Sequence, residues 1–270
     1  MLTTRSQRWR EKRSLYVDDL SVIDPRAYSV DVIEPKAARA FVALHHYLPS
    51  WPAAQLAVGL FGPGRGCRTT LVGVAVFAVP AIGSVITRHA GLASDNGTTL
   101  ARFILLPDVA GNGESFFLSR ALGHLRREKR HLEAVVSYSD PSAGHIGRIY
   151  AALSSAYRGQ MPERTSYRIG AQPISGRTLS KIRLGERGAS GAIDQLIAFG
   201  APRLTAGETP ADWLSRMTRK RVLSRARHPG LHAYCFELSR RARQAGAKLP
   251  RKPYPTMLTL PHPELPLLAA

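Results

Sequence analysis

This sequence predicts an α/β fold with a central sheet flanked by helices, and three observations carry that prediction. Residues 100–157 read strand, glycine-containing turn, amphipathic helix, strand, Asp-Pro break and helix, in that order. Leu71 to Val79, LVGVAVFAV, is a nearly continuous apolar run of strand length, as expected of a strand buried on both faces. Segments with helical apolar spacing alternate with these strands, the pattern of helices packed on a sheet.

The first helix opens at Pro35 and places Ala38, Phe41, Val42 and His45 on one face, ending near Tyr47. The segment LPSWP breaks it, and Gln55 to Phe61 resumes as a short strand. GPGRGCRTT is a turn or hairpin loop before the apolar strand, and residues 80–98 are a polar excursion that periodicity does not place. Leu100 to Leu106 is the next strand. Ser115 to Arg127 follows as a helix, with Phe117, Leu118, Ala121, Leu122 and Leu125 turned to the core. Glu133 to Ser139 is a strand ending at Asp140-Pro141. Ser142 is placed to cap a helix carrying Ile146, Ile149, Tyr150, Leu153 and Tyr157.

Beyond residue 160 the periodicity weakens. Residues 174–190, basic and punctuated by Gly and Ser, read as a strand or a DNA-facing loop. Thr209-Pro210-Ala211-Asp212 is a helix start with cap, proline and first-turn acid, and that helix runs through Trp213 and Met217 into RKRVLSRARHPG. Tyr234 to Leu238 reads as a last strand before a basic, Pro-rich tail, and no internal repeat is found.

Composition narrows the function. The 270 residues can bury one large domain, or one domain with an appendage. Lys and Arg number 38 against 19 Asp and Glu, a net charge of +19, and the excess is uneven: +6 up to Tyr150 and +13 after it. Such a balance points to a polyanionic partner, nucleic acid first, because neutralised phosphates release counterions. Two distant cysteines, Cys67 and Cys235, provide neither a disulfide framework nor a thiolate zinc site, which suits an intracellular protein. The basic N-terminus has no apolar signal segment, and no run reaches the ~18 apolar residues of a membrane span. The expectation is a soluble cytoplasmic protein.

Three places could hold chemistry. The turn Val109 to Ser115 lies between strand and helix, where glycines let backbone amides approach an anion. Asp140 ends a strand, where α/β sheets place ligands, with Ser137, Tyr138 and Ser139 before it and Tyr150 on the next helix. His45-His46-Tyr47 ends the first helix; His45 belongs to the apolar face, leaving His46 and Tyr47 to line a cleft.

The glycine turn, the following strand and the helix GRIYAALSSAY resemble the acetyltransferase fold of the GNAT superfamily. There the turn binds the pyrophosphate of coenzyme A. The resemblance implies a GNAT-like mixed central sheet flanked by helices, with a basic C-terminal extension. It also implies Gly111, Asn112 and Gly113 as cofactor-binding residues and acetyl-CoA or another acyl-CoA as cofactor. The sequence departs from that pattern in carrying the Gln/Arg-x-x-Gly-x-Gly/Ala signature only in part, and in placing Glu114 beside the phosphate site.

A more specific resemblance spans roughly residues 35–240. His46-Tyr47, NGESFFLSRAL, AVVSYSDPSAGHIGRIYAA and RHPGLHAY, in this order, resemble the Mom family of phage DNA-modification proteins. That family is similar to GNAT proteins in fold and converts adenine in DNA to an N6-carbamoylmethyl derivative, hiding phage or mobile-element DNA from restriction enzymes. The resemblance implies an active site lined by His46, Tyr47, Ser115, Asp140 and Tyr150, with double-stranded DNA and a small-molecule donor as partners. A His, Tyr and Asp set could also ligate a transition metal such as iron. Arg216, Arg219, Lys220, Arg221, Arg225 and Arg227 would hold DNA phosphates.

The domain organisation expected is a basic N-terminal arm over 1–30, a modification domain over 31–240 with a basic insert at about 174–190, and a basic tail over 241–270. Two other functions fit the same residues. A conventional N-acetyltransferase would turn over acetyl-CoA on an amine or protein without DNA. A non-enzymatic DNA-binding protein would bind DNA and leave its bases unchanged.

Overall fold

The computed structural model describes residues 21–46, 50–63, 69–141 and 144–256. Of the expected arm over 1–30, residues 1–20 lie outside the described residues, as do Tyr47, Ser142 and the end of the tail. The chain forms two compact units, one built from residues 1–161 and 231–270 and the other from Pro162–Gly230.

The larger unit holds a seven-stranded sheet. Its elements are β1 (Ser29–Val32), α1 (Pro35–His45), β2 (Ala54–Pro63), β3 (Thr69–Ala78), α2 (Ser84–Ala90), β4 (Gly97–Leu105) and α3 (Gly113–Glu128). Then come β5 (Ala134–Ser139), α4 (Arg148–Ala152) and β6 (Ala156–Gln160); β10 (His232–Glu237) and α8 (Arg240–Ala247) follow the second unit. The strand order is β1-β2-β3-β4-β5-β10-β6. Every neighbouring pair is antiparallel except β4 and β5, which are parallel. This is the mixed central sheet that the sequence predicts.

Helices cover both faces. On one, Phe117, Leu118 and Leu125 of α3 and Tyr150 of α4 pack with Leu60, Phe77, Val135 and Phe236. On the other, Ala38, Phe41 and Val42 of α1 meet Val74, Val76 and Ile104. There too Ile86 of α2 and Ala242 of α8 meet Ala134, Val136 and Cys235. The strict alternation of Val74 and Val76 against Ala75 and Phe77 confirms β3 as the two-faced strand that its apolar run predicts.

Three segments differ from the sequence reading. Residues 80–98 hold α2, closed by Gly91 at φ +69°, and β4 begins at Gly97 rather than at 100. The helix after Asp140-Pro141 is only five residues long, bounded by Gly147 at φ +73° and Ser154 at φ +57°. Tyr157 therefore leaves the helix and enters β6, opposite Tyr234. The expected tail over 241–270 begins inside α8, which Ser239 caps by accepting a hydrogen bond from the Ala242 amide.

The second unit leaves the sheet after β6 and returns before β10, and the Met161 amide donates to the Leu231 carbonyl where the two chain ends meet, 2.8 Å apart. It contains β7 (Arg164–Ile169), β8 (Gln172–Ile174), α5 (Gly176–Arg183), α6 (Ala189–Ala198), α7 (Pro210–Arg219) and β9 (Leu223–His228). Its antiparallel sheet has the order β8-β7-β9. Ile169, Ile182, Leu196, Trp213, Met217 and Leu223 form a separate core. Residues 174–190, expected as strand or loop, are mostly helical: Ser175 caps α5 by accepting from the Thr178 amide. Thr209 caps α7 as its sequence predicts.

Candidate active site

Parallel pairing of β4 with β5 sends both strands to the same end of the sheet, but only Gly97–Thr99 pairs, with Ala134–Val136. Past these residues the two strands share no ladder, and each ends in a segment that the sequence marks. β4 leads into the glycine turn and α3, while β5 leads to Ser139 and Asp140.

The turn is held from behind. The Gly111 amide donates to the Ser21 carbonyl at 2.9 Å, and the Ile23 amide to the Gly111 carbonyl at 2.8 Å. The Gly113 amide donates to Ala110 at 3.2 Å, and a Cβ on Gly113 would meet Val109 at 2.5 Å. Two of the three expected phosphate-binding amides are thus spent on the protein itself. Asn112, at φ +63°, starts α3, and the Ser115 hydroxyl donates to its carbonyl at 3.0 Å. Glu114 in the first helical turn suits the helix dipole but opposes an anionic ligand there.

Beside this end lies a polar cluster within the core. Alternation along β5 puts Ser137 and Ser139 on the same face as Val135, beneath α3 and α4. Opposite them on β10 stand Tyr234 and His232. The Tyr157 hydroxyl lies 2.7 Å from His232 Nδ1. The Tyr234 hydroxyl donates to the Ile146 carbonyl, and its ring lies 5.1 Å from that of Tyr150 and 5.0 Å from that of Tyr157. Burial raises the pKa of Tyr157 and Tyr234 and lowers that of His232, so all three are neutral near pH 7. Ser139 is close enough to Tyr234 to oppose its shift slightly, though without hydrogen-bond geometry. The hydroxyls of Ser137 and Ser139 are buried with no hydrogen-bond partner among the described residues.

Of the residues singled out in the sequence, the structure puts Tyr150 in this cluster and Asp140 at its border, directly after Ser139. Ser115 lies at the start of α3, at the same end of the sheet. His46 caps α1, its amide donating to Val42 at 3.0 Å, and α1 lies on the opposite face. Near that cap Arg102 of β4 donates to the Ser50 carbonyl at 2.6 Å and to its hydroxyl at 3.0 Å, fixing the segment that leads into β2. Tyr47 is outside the described residues. His232, Tyr157 and Tyr234 were not singled out as site residues. Ser137 and Ser139 are named in the sequence only as the residues before Asp140; period-two alternation adds that both hydroxyls turn inward beside Val135.

The six basic residues expected to hold DNA all lie in the second unit, where Pro162–Gly230 contains 13 Lys and Arg against 5 Asp and Glu. Arg219, Lys220, Arg221, Arg225 and Arg227 are exposed. Arg216 is different. Its guanidinium donates to both Glu208 oxygens at 2.6 and 2.7 Å, with the paired side chains 18 and 9% exposed. That guanidinium, with the Thr205 amide, holds the Glu208 carboxyl at about 2. Arg216 therefore braces α7 and is not presented to a phosphate. No three His, Cys, Asp or Glu side chains cluster as metal ligands among the described residues, and no helix among them is long and apolar enough to cross a membrane.

A family model described as the Mom protein family matches residues 27–256. No curated protein matches the chain significantly. Among solved structures, spermidine N-acetyltransferase from Vibrio cholerae, in complex with CoA and spermine, aligns at 9% identity and a TM-score of 0.41, covering 80% of this chain and 98% of that one. An N-acetyltransferase from Staphylococcus aureus Mu50 aligns at 9% identity and 0.36, over 78 and 97% of the two chains. Malonyl-CoA decarboxylase from Cupriavidus metallidurans aligns at 13% identity and 0.34, over 84 and 66%.

Proposed function

This chain belongs to the Mom protein family, whose model spans residues 27–256, and from that membership we propose that it is a transferase that adds a carbamoylmethyl group to adenine N6 in DNA. The family match is the observation that carries the reading. The modification would shield phage or mobile-element DNA from restriction, in the cytoplasm of the host cell.

Adenine N6 is a weak nucleophile because its lone pair is delocalised into the ring. The enzyme must orient it and help to remove a proton, a role suited to Asp140 at the border of the polar cluster, whereas His46 caps α1 on the opposite face. In duplex DNA the base must leave the stack to be reached, and Tyr47 and Tyr150 would hold it once extruded. The exposed Arg219, Lys220, Arg221, Arg225 and Arg227 would grip the phosphates.

The product joins N6 to a methylene carbon and ends in a carboxamide, whereas transfer from acetyl-CoA would make an amide. The carbamoylmethyl product needs a donor that already carries the carboxamide and bears a leaving group on its methylene carbon: N6 attacks that carbon, the leaving group departs with the bonding pair, and the N6 proton passes to a base such as Asp140. An acyl-CoA bound at the start of α3 would instead be attacked at its carbonyl carbon, with CoA thiolate leaving, and would give the acetyl-type amide. The Asn112 amide and the helix start suit the CoA phosphates, and Glu114 does not. For iron, the described residues contain no ligand set, so no step is assigned to it. Metal analysis of purified protein, with chelation, tests that cofactor: bound iron whose removal abolishes modification would establish it.

The decisive experiment is mass spectrometry of nucleosides from plasmid DNA after expression of the intact protein, beside an Asp140→Ala culture. A modified deoxyadenosine is expected with the intact protein alone, heavier than the acetyl derivative by one NH group. Unmodified DNA despite folded protein would refute the reading.

A further inference from the structure

We propose that Ser137, Ser139 and His232 form a neutral subsite for the carboxamide end of the group being transferred, with His232 Nε2–H as hydrogen-bond donor and Tyr157 as the residue that positions it. The proposal rests on the transferase reading given above and names residues that the reading does not use.

The three side chains share one sheet face. His232 starts β10 and pairs across with Ser139 on one side and Gln160 on the other, at 5% exposure. One ring nitrogen is committed, since Nδ1 lies 2.7 Å from the Tyr157 hydroxyl. A phenol O–H is the better donor of the two and a neutral imidazole nitrogen the better acceptor, so Tyr157 donates and the ring proton resides on Nε2. Burial supports this by keeping both groups neutral. Nε2 has no protein partner among the described residues.

Ser137 and Ser139 are 0 and 3% exposed, and their hydroxyls are unpartnered. Buried hydroxyls without partners are costly, and two of them share a sheet face with His232, whose Nε2 is uncommitted, forming a polar cluster in an apolar core. The cluster lies at the end of β5 that no longer pairs with β4. Its chemistry selects its ligand. The three groups that form it carry no charge, which disfavours a carboxylate or ammonium. A carbonyl oxygen satisfies Nε2–H, and two hydroxyls that both donate and accept suit an adjacent amide NH2. An acetyl group would satisfy the first and leave the hydroxyls unpaired.

The test uses the full-length protein and three readouts: nucleoside mass spectrometry, thermal unfolding, and 15N NMR of the His232 ring. Ser137→Ala/Ser139→Ala is expected to melt at or above the temperature of the parent, because it removes unpaired hydroxyls, yet to lose modification at least tenfold. His232→Phe is expected to lose modification while His232→Gln, which retains a donor near Nε2, keeps part of it. NMR is expected to show the proton on Nε2 in the parent and mixed tautomers in Tyr157→Phe. Hydroxyls that merely hold a fixed water would give the opposite pattern, with the double variant less stable and still active, and would overturn the subsite. A proton on Nδ1 would also overturn it. If the intact protein modifies no adenine, the function reading falls, and the stability and tautomer results still judge the subsite.

Discussion

Replacing Gly147 with alanine is the sharpest single perturbation of this site. Gly147 sits at φ +73°, a left-handed conformation that costs an L-residue about 1–2 kcal/mol. Its added Cβ would lie 2.5 Å from Cζ and 2.7 Å from the hydroxyl oxygen of Tyr234, where ordinary contacts begin at 3.4 Å. Tyr234 cannot retreat: it is fully buried, packed between the tilted rings of Tyr150 and Tyr157, and tied to the Ile146 carbonyl. Overpacking of this kind costs about 1–3 kcal/mol, so the total is about 3 kcal/mol. For a unit of this size that lowers the melting temperature by about 6–12 °C. Gly170→Ala is the control, since Gly170 has φ +54° but no atom within 4 Å of an added Cβ. It should cost only the backbone share, about 1 kcal/mol. Calorimetry compares the two variants, and nucleoside analysis below the lower melting temperature should show modification lost only in Gly147→Ala. If both variants melt alike, the steric reasoning is wrong.

Two further outcomes follow from the electrostatics. Arg225→Ser and Arg227→Ser should each reduce the slope of log affinity against log salt for duplex DNA by about 1. Arg216→Ala should instead lower thermal stability and leave that slope unchanged, because its guanidinium is held by Glu208; equal slopes in all three variants would refute the assignment of exposed arginines to DNA. His89 is pushed down to about 4, by burial first and by Arg88 and Arg158 after it. The unfolded chain therefore binds a proton that the folded chain resists. Stability should be full above about pH 6.5 and fall as pH drops toward 4, and His89→Gln should flatten that fall in melts across the range. Loss tied to Glu208 should begin as pH falls below the usual carboxylate value of 4.5 and be complete near about 2, where its carboxyl is held.

Most of the larger unit was legible because its segments carry strong periodicity. The run from Leu71, the α3 stripe from Phe117 to Leu125, and the Pro35 helix start each became the element that their spacing implies. Short segments were not legible. α4 reads as a long helix because Ile146, Ile149, Leu153 and Tyr157 keep helical spacing, yet two left-handed residues cut it to five, and pairing with β10 claims Tyr157. The strands β7 to β9 are weakly apolar because only one end of their sheet faces a core; in β9 Leu223 is buried while Ser224 to Arg227 are exposed. Of the site, Tyr150 and Asp140 could be picked out locally. The Tyr157–His232 pair could not, because it joins strands 75 residues apart that become neighbours only once the second unit is closed off.

That separation has a chemical sense under the proposed function. Attack by an uncharged base amine on a group that ends in a neutral carboxamide needs uncharged hydrogen-bonding groups in a dry recess, where a free guanidinium would bind stray anions or suppress deprotonation of a nearby base. Holding DNA demands the reverse, exposed cations that trade counterions with solvent. The chain keeps these requirements apart along its length. The sheet face beneath α3 and α4 carries Ser137, Ser139, Tyr234 and neutral His232, whereas the cations expected on DNA all lie within Pro162–Gly230. Charge reversal at Arg225 and Arg227 should therefore weaken DNA binding without altering the His232 tautomer. Ser137→Ala/Ser139→Ala should do the converse, abolishing modification while the salt-dependent affinity for DNA is retained.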